Sequence, residues 1–246
     1  MWAPLAPALT NAGYRVIAPD LRGFGDTDMP DDPSAYDIYE NIVPDVLAIL
    51  RELNISKAHV VGHDFGAPVA WALAAQHGHM FSTLTAVSVG HVRAYLKAGW
   101  GQYMMSWYIL LHQCRGFCEW VYRCNDWALF RGQWSKLGDV EEIIAHLSRP
   151  GRLTAGLSWY RVNIPLSRML NAPAQGAFGE EIVRIPTLGI WSDGEKYLSE
   201  RQMLLSEEFV DAPWRYHRIN DVSHWIPYEA PEALAAEMLA HWRDHG

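Results

Sequence analysis

From residue 14 onward, short apolar runs rich in β-branched residues alternate with stretches of helical period. Residues 14–18 (YRVIA) predict a strand, and after a loop the stretch IYENIVPDVLAILREL sets Ile38, Ile42, Val46, Ile49, Leu50 and Leu53 on one helical face. Residues 58–62 (AHVVG) predict the next strand, PVAWALAAQH a helix, and residues 82–89 (STLTAVSV) a third strand. These runs are apolar almost throughout instead of alternating, as parallel strands covered by helices require. The pattern therefore predicts an α/β fold with a mostly parallel, doubly wound sheet.

Between about residues 92 and 183 the strand pattern stops. Four helical segments rich in Trp, Tyr and Leu are expected there, closing in the loop-like residues 171–181 (NAPAQGAFGEE). Alternation then resumes with residues 185–191 (IPTLGIW), a helix from Ser199, residues 214–219 (WRYHRI) and an amphipathic helix over 231–241. The expected organisation is an α/β core over 1–91 and 184–246, interrupted by a helical cap over 92–183.

Composition narrows the function classes. The chain has 246 residues, half of them hydrophobic, enough for one substantial core. Its 28 acidic and 20 basic residues give a formal charge of -8, without a Lys/Arg cluster able to track phosphates, so no nucleic acid is expected as partner. No run reaches the roughly 18 to 20 apolar residues needed to cross a bilayer, and the first basic residue is Arg15, so cytoplasmic residence without membrane association is the expectation. Cys114, Cys118 and Cys124 are an odd number in one short segment, a poor basis for a disulfide framework. With His112 they match no usual zinc spacing, so they read as packing residues; neither metal nor organic cofactor is expected.

The candidate chemistry begins in VVGHDFGAPVAW, residues 60–71. In a sharp strand-to-helix turn the apical side chain stands exposed above the sheet, and small residues two before and two after relieve crowding. Gly62, Asp64 and Gly66 have that spacing, although an Asp at a helix start also serves as an ordinary cap. A nucleophile there needs a base and a group that orients it, in the chain order nucleophile, acid, histidine. His224, in DVSHWIPYEAPEAL, falls in the loop between the last strand and the last helix. For the acid, WSDGEKYL offers Asp193 and Glu195; Asp193 has a local reason to exist as an Asp-Gly turn, which favours Glu195 and leaves Asp193 as the alternative.

Together, YRVIAPDLRGFGDTDMP, VVGHDFGAPVAW, WSDGEKYL and SHWIPYEAPEAL resemble the α/β-hydrolase fold over nearly the whole chain, and the elbow Asp resembles its epoxide hydrolase and dehalogenase branch. In that branch the acid stands four residues after the Trp ending the strand, which here is Glu195. The resemblance implies two cap tyrosines that hydrogen-bond the epoxide oxygen; SWYILLHQCRG and GLSWYRVN resemble the segments carrying them, giving Tyr108 and Tyr160. It also implies that the backbone N–H of Phe65 serves the oxyanion, with Phe65, Trp107, Trp159 and Trp225 lining a substrate pocket. Haloalkane dehalogenases carry Trp directly after the nucleophile and fluoroacetate dehalogenases Arg; here it is Phe65, which has no side-chain N–H to give a halide.

An aspartate at this elbow has a chemical reason. A carboxylate attacks an epoxide carbon while already ionised, and its ester can be hydrolysed at the acyl carbon, whereas a serine would leave an inert ether. The implied activity is epoxide to vicinal diol, by an aspartyl ester that His224, oriented by Glu195, hydrolyses with water. The family's second oxyanion N–H comes from a His-Gly-x-Pro loop, and this sequence has none. It opens at MWAPLAPAL, which resembles the helix just after that loop, so the core is expected to lack its first strands; a missing amino-terminal segment is favoured over completion by another chain or a natural short form with weak or no catalysis. The expected partner is a small-molecule epoxide, apolar or aromatic given the Trp- and Tyr-rich cap, and a homodimer is an open possibility. The alternatives are a dehalogenase, told apart by halide release, and an inactive ligand-binding relative, told apart by binding without labelling Asp64.

Overall fold

The computed structural model describes residues 1–134, 140–165, 167 and 182–245. Four parallel strands form one sheet: β1 (Ala58–His63), β2 (Phe81–Val87), β3 (Thr187–Gly194) and β4 (Trp214–Ser223), in the spatial order β1-β2-β3-β4. Successive strands are neighbours, and each crossover is long enough to bring a helix back along the sheet. The register aligns the strand ends that matter for chemistry: His63 pairs with Val87, Val87 with Ile190, and Gly194 with Ser223. The chain is thus an α/β protein built on a parallel sheet surrounded by helices.

β2 and the apolar part of β3 are buried almost continuously, which explains their unbroken hydrophobic runs. The helix Gly66–His77 packs on β1 and β2 with Ala67, Val69, Ala70, Trp71 and Leu73 buried, so it is apolar all round. A core cluster joins Val87, Leu188, Ile190 and Ile219 of the strands to Leu5 and Leu9 of the helix Ala6–Asn11, and to Leu234, Met238 and Trp242 of the helix Pro231–His245.

Residues 14–18, expected as a strand, are not one. Tyr14 N–H closes the first helix by donating to the Leu9 carbonyl, and Tyr14 and Val16 pack their side chains on the core without joining a ladder. β-propensity describes fit to a pleated, half-buried surface, whereas a strand also needs a partner backbone. The helical face over 38–53 exists, with Ile38, Ile42 and Leu50 buried, but it opens as a π-type turn, Ile38–Ile42, before the α-helix Val43–Glu52.

By contacts the chain forms two compact units. The first contains Met1–Ala18, Val43–Ser106 and the described part of Ala174–Gly246; the second contains Pro19–Ile42 and the described part of Trp107–Pro173. This division differs from the expected cap over 92–183. Residues 92–106 stay with the sheet because buried Gln102 donates to the Tyr197 carbonyl (2.9 Å) and accepts from Ser199 N–H (2.8 Å). Residues 19–42 join the second unit because the turn Pro33–Tyr36 packs on the helix Arg152–Asn163, where Asn163 donates to the Tyr36 carbonyl at 2.8 Å.

Where four helical segments were expected, the described residues hold six: Val92–Lys97, Trp100–Met105, Tyr108–Gln113, Phe117–Trp134, Val140–Ser148 and Arg152–Asn163. The fourth is kinked, with non-helical backbone from Cys124 to Trp127. The expected loop over 171–181 lies outside the described residues. Within the second unit, Cys118, Tyr122, Trp127, Phe130, Ile144, Leu153 and Leu157 form a core of their own. All three cysteines are free thiols, and burial pushes the Cys118 thiol up to about 12. No helix of the described residues is long and apolar enough to cross a membrane.

Candidate active site

β1 ends in a tight turn that delivers Asp64 to the start of the helix Gly66–His77. Asp64 adopts φ +50°, the left-handed region that a non-glycine residue rarely occupies, and one held strain of this kind costs on the order of 1–3 kcal/mol. Gly62 permits the turn, since a Cβ there would lie 2.2 Å from the Gly66 carbonyl oxygen and 2.5 Å from Ala67 Cα. Gly66 does not share that role: a Cβ at 66 would meet nothing within 4 Å, so the spacing rule explains the first glycine and not the second.

His224 follows β4 and lies between two carboxylates. Its Nε2 is 2.9 Å from Asp64 Oδ2 and its Nδ1 2.5 Å from Glu195 Oε2. Glu195 is buried at the end of β3, and its other oxygen accepts the Tyr197 N–H at 2.9 Å, which fixes the carboxylate. Asp193 is used elsewhere: it accepts the Asp221 N–H at 2.7 Å and faces Arg218 at 3.6 Å. Of the two acids open in the sequence, the longer one reaches the imidazole.

Asp64 keeps 36 % of its side chain exposed while His224 keeps 4 %, so the carboxylate is the member of the trio that a small molecule can touch. The Phe65 N–H donates to Asp64 Oδ1 at 2.5 Å, pointing a backbone dipole at that carboxylate oxygen. Burial raises the Asp64 carboxyl, but the hydrogen bond and charge of His224 outweigh it and hold the group below its ordinary 3.8. For His224, burial disfavours the cation, yet Glu195 and Asp64 together push its pKa up to about 10. The resting trio therefore carries its proton on the imidazole, between two carboxylates.

Beside it stands His63, adjacent to Asp64 and absent from the expected site. Its Nε2 is 2.8 Å from the His224 carbonyl oxygen, and its ring lies 4.7 Å from the His224 ring. Burial, reinforced by the neighbouring His224 charge, pulls its pKa down to about 3. Tyr197 is a second neighbour missed in the sequence, its ring edge-on to His224 at 5.4 Å. The signal for both was proximity along the chain, to Asp64 in GHDFG and to Glu195 in GEKYL.

In the second unit Tyr108 and Tyr160 meet edge to face, with ring centroids 6.0 Å apart and both side chains half-buried. Tyr108 begins the helix Tyr108–Gln113 and Tyr160 lies in the helix Arg152–Asn163. His112, one helical turn after Tyr108, packs on Tyr160 at 4.2 Å and shares a 2.8 Å hydrogen bond with the Tyr122 hydroxyl.

The four expected pocket residues differ in setting. Phe65 is half-buried at the elbow, Trp225 packs its ring on His224 at 4.8 Å, and Trp107 is exposed. Trp159 is a correction. It is completely buried, donates its indole N–H to the Arg22 carbonyl at 3.0 Å and lies against Phe24, so it has no free surface for a ligand and belongs to the core of its unit. Among the described residues no group of three His, Cys, Asp or Glu could hold a metal ion.

Comparison with known proteins identifies the family. The family model described as alpha/beta hydrolase fold matches residues 1–231. The chain is 29% identical over 238 residues to "Epoxide hydrolase 3" of Xenopus tropicalis, covering 90% of this chain and 62% of that protein. It is also 29% identical over 261 residues to "AB hydrolase superfamily protein YfhM" of Bacillus subtilis, covering 99% of this chain and 85% of the relative. The crystal structure of the epoxide hydrolase VrEH1 from Vigna radiata superposes with TM-score 0.79 at 25% identity, covering 99% of this chain and 87% of that one.

Proposed function

We infer that this chain, which belongs to the α/β-hydrolase fold family, is an epoxide hydrolase that turns an epoxide into a vicinal diol through an ester on Asp64. The observation that carries the reading is a carboxylate, not a hydroxyl, at the elbow, 2.9 Å from an imidazole held by Glu195. The names of the frog and mung-bean relatives support the same activity class.

In the first half-reaction an Asp64 oxygen bonds to an epoxide carbon while the C–O bond of the ring breaks and its electron pair stays on oxygen. Ring opening needs an acid. The resemblance assigns its proton to the phenols of Tyr108 and Tyr160, and the phenolate left behind regains a proton from solvent. Forming the ester removes the Asp64 charge. One of the two carboxylates that hold the proton on His224 is then gone, its pKa falls, and the proton leaves to solvent. The neutral imidazole, still oriented by Glu195, takes a proton from water as the hydroxide adds to the acyl carbon. The oxyanion accepts from Phe65 N–H, and its collapse releases the diol and restores the carboxylate.

The elbow carboxylate thus exchanges one oxygen with water in each turnover. A single turnover of styrene oxide in H₂¹⁸O should place the label in the peptide containing Asp64 and none in the diol. Label found directly in the diol during that first turnover refutes the covalent path.

A further inference from the structure

Side-chain donors at or just after the ends of β1 and β2 reach the backbone of the loop that carries His224, and a third, in β3, reaches the residue before it. His63, the last residue of β1, places Nε2 2.8 Å from the His224 carbonyl oxygen. Ser88, just after β2, places Oγ 3.2 Å from the same oxygen. Ser192 in β3 donates at 2.9 Å to the carbonyl of Ser223, the last residue of β4, where the loop begins. All five residues are buried.

A carbonyl oxygen only accepts, so His63 carries its hydrogen on Nε2 and turns Nδ1 away. Ser88 is held in turn: its backbone has φ +66°, its N–H donates to the Ile190 carbonyl at 2.8 Å, and its carbonyl accepts from Gln202 Nε2 at 2.9 Å. The donors are thus anchored in the sheet and helices, while the acceptor sits in a loop. A buried carbonyl stripped of donors is costly, and the loop would move to recover them.

From this geometry we propose that His63 and Ser88 are positioning residues: by clamping the His224 carbonyl they hold the imidazole where it can activate water against the Asp64 ester. The proposal rests on the reading of His224 as general base. The low His63 pKa fits it, because a neutral imidazole keeps the clamp intact across the working pH range without adding a second cation beside His224. A base displaced by about 1 Å loses on the order of 10²-fold in rate.

The test separates the two half-reactions. Single-turnover reactions with styrene oxide are quenched and weighed as intact protein, following adduct formation and decay in wild type, His63→Leu, His63→Gln and Ser88→Ala. Expected are adduct formation within about threefold of wild type, decay slowed at least tenfold in His63→Leu and Ser88→Ala, and recovery in His63→Gln, which keeps a donor. Decay unchanged in both donor-deleted variants, or formation and decay reduced by the same factor, overturns the clamp. Ser88→Ala decides alone if His63→Leu does not fold. If wild type forms no adduct, the functional reading fails separately; the clamp is then judged by the His224 imidazole NMR resonances, which should broaden in His63→Leu and sharpen again in His63→Gln, and unchanged resonances overturn it.

Discussion

At the scale of single residues, the resting site is organised around one proton. His224 lies between Asp64 and Glu195, and the two negative charges overcome the cost of burying a cation. Removing one charge should release the proton more readily, as the proposed ester on Asp64 would. Asp64→Asn mimics that neutralisation without reaction, so the His224 pKa should fall from about 10 toward the ordinary value near 6.5, read by NMR titration of imidazole-labelled protein. The sign for stability follows from the same shift. A raised pKa adds stability that is complete below about 6.5 and lost as pH rises through the folded value, so alkaline pH should weaken wild type more than Asp64→Asn. A His224 titration identical in the two proteins would show that Glu195 alone holds the proton.

At the scale of elements, a buried ion pair joins helices of the second unit. Arg161 in the helix Arg152–Asn163 contacts both Glu119 oxygens, at 2.8 and 3.1 Å, and donates from Nε to the His112 carbonyl at 2.8 Å. Glu119 also accepts the Gly116 N–H, so three helices meet at this pair. Burial raises the Glu119 carboxyl, but the Arg161 hydrogen bond outweighs it and the pKa lies below 4.5. The pair's stabilisation is therefore complete above about pH 4.5 and lost as pH falls through the depressed value. Arg161→Met strands a buried carboxylate and should cost about 3–5 kcal/mol near neutral pH. That corresponds to a melting temperature lower by roughly 6–20 °C, at about 2–4 °C per kcal/mol. The deficit should shrink on acidification, as Glu119 becomes neutral in the variant; thermal melts at both pH values check it. None of this network was legible in the sequence, because Glu119 and Arg161 read there as ordinary charged positions 42 residues apart. What could be read was local. The runs that became β1 to β4 and the elbow at Asp64 announce themselves within a dozen residues, and chain order, loop position and the Asp-Gly turn point to His224 and Glu195. What failed depended on distant partners: residues 14–18 have strand propensity but no ladder, and Trp159 has the aromatic character of a pocket wall but a place in a core. The His63 clamp spans 161 residues, a separation that no periodicity encodes.

At the scale of the whole molecule, the two compact units hold different chemistry. The sheet unit contains Asp64, His224 and Glu195; the other contains the phenol pair Tyr108 and Tyr160. If the phenols serve ring opening and His224 serves ester hydrolysis, variants in the two units must slow different half-reactions. His224→Gln should still form the ester on Asp64 and then stall, so that an adduct of substrate mass accumulates. Tyr108→Phe with Tyr160→Phe should do the reverse: formation slows by on the order of 10² to 10³, the loss typical of a missing oxyanion donor, and hydrolysis drains the little adduct that forms. Combining all three substitutions isolates the first step, and its rate should match that of the tyrosine double variant, because His224 takes no part in alkylation. Intact-mass time courses with styrene oxide read every species involved. Adduct accumulating in the tyrosine variant, or formation as fast as in wild type, would remove the phenols from the reaction and leave ring opening to a donor in the sheet unit.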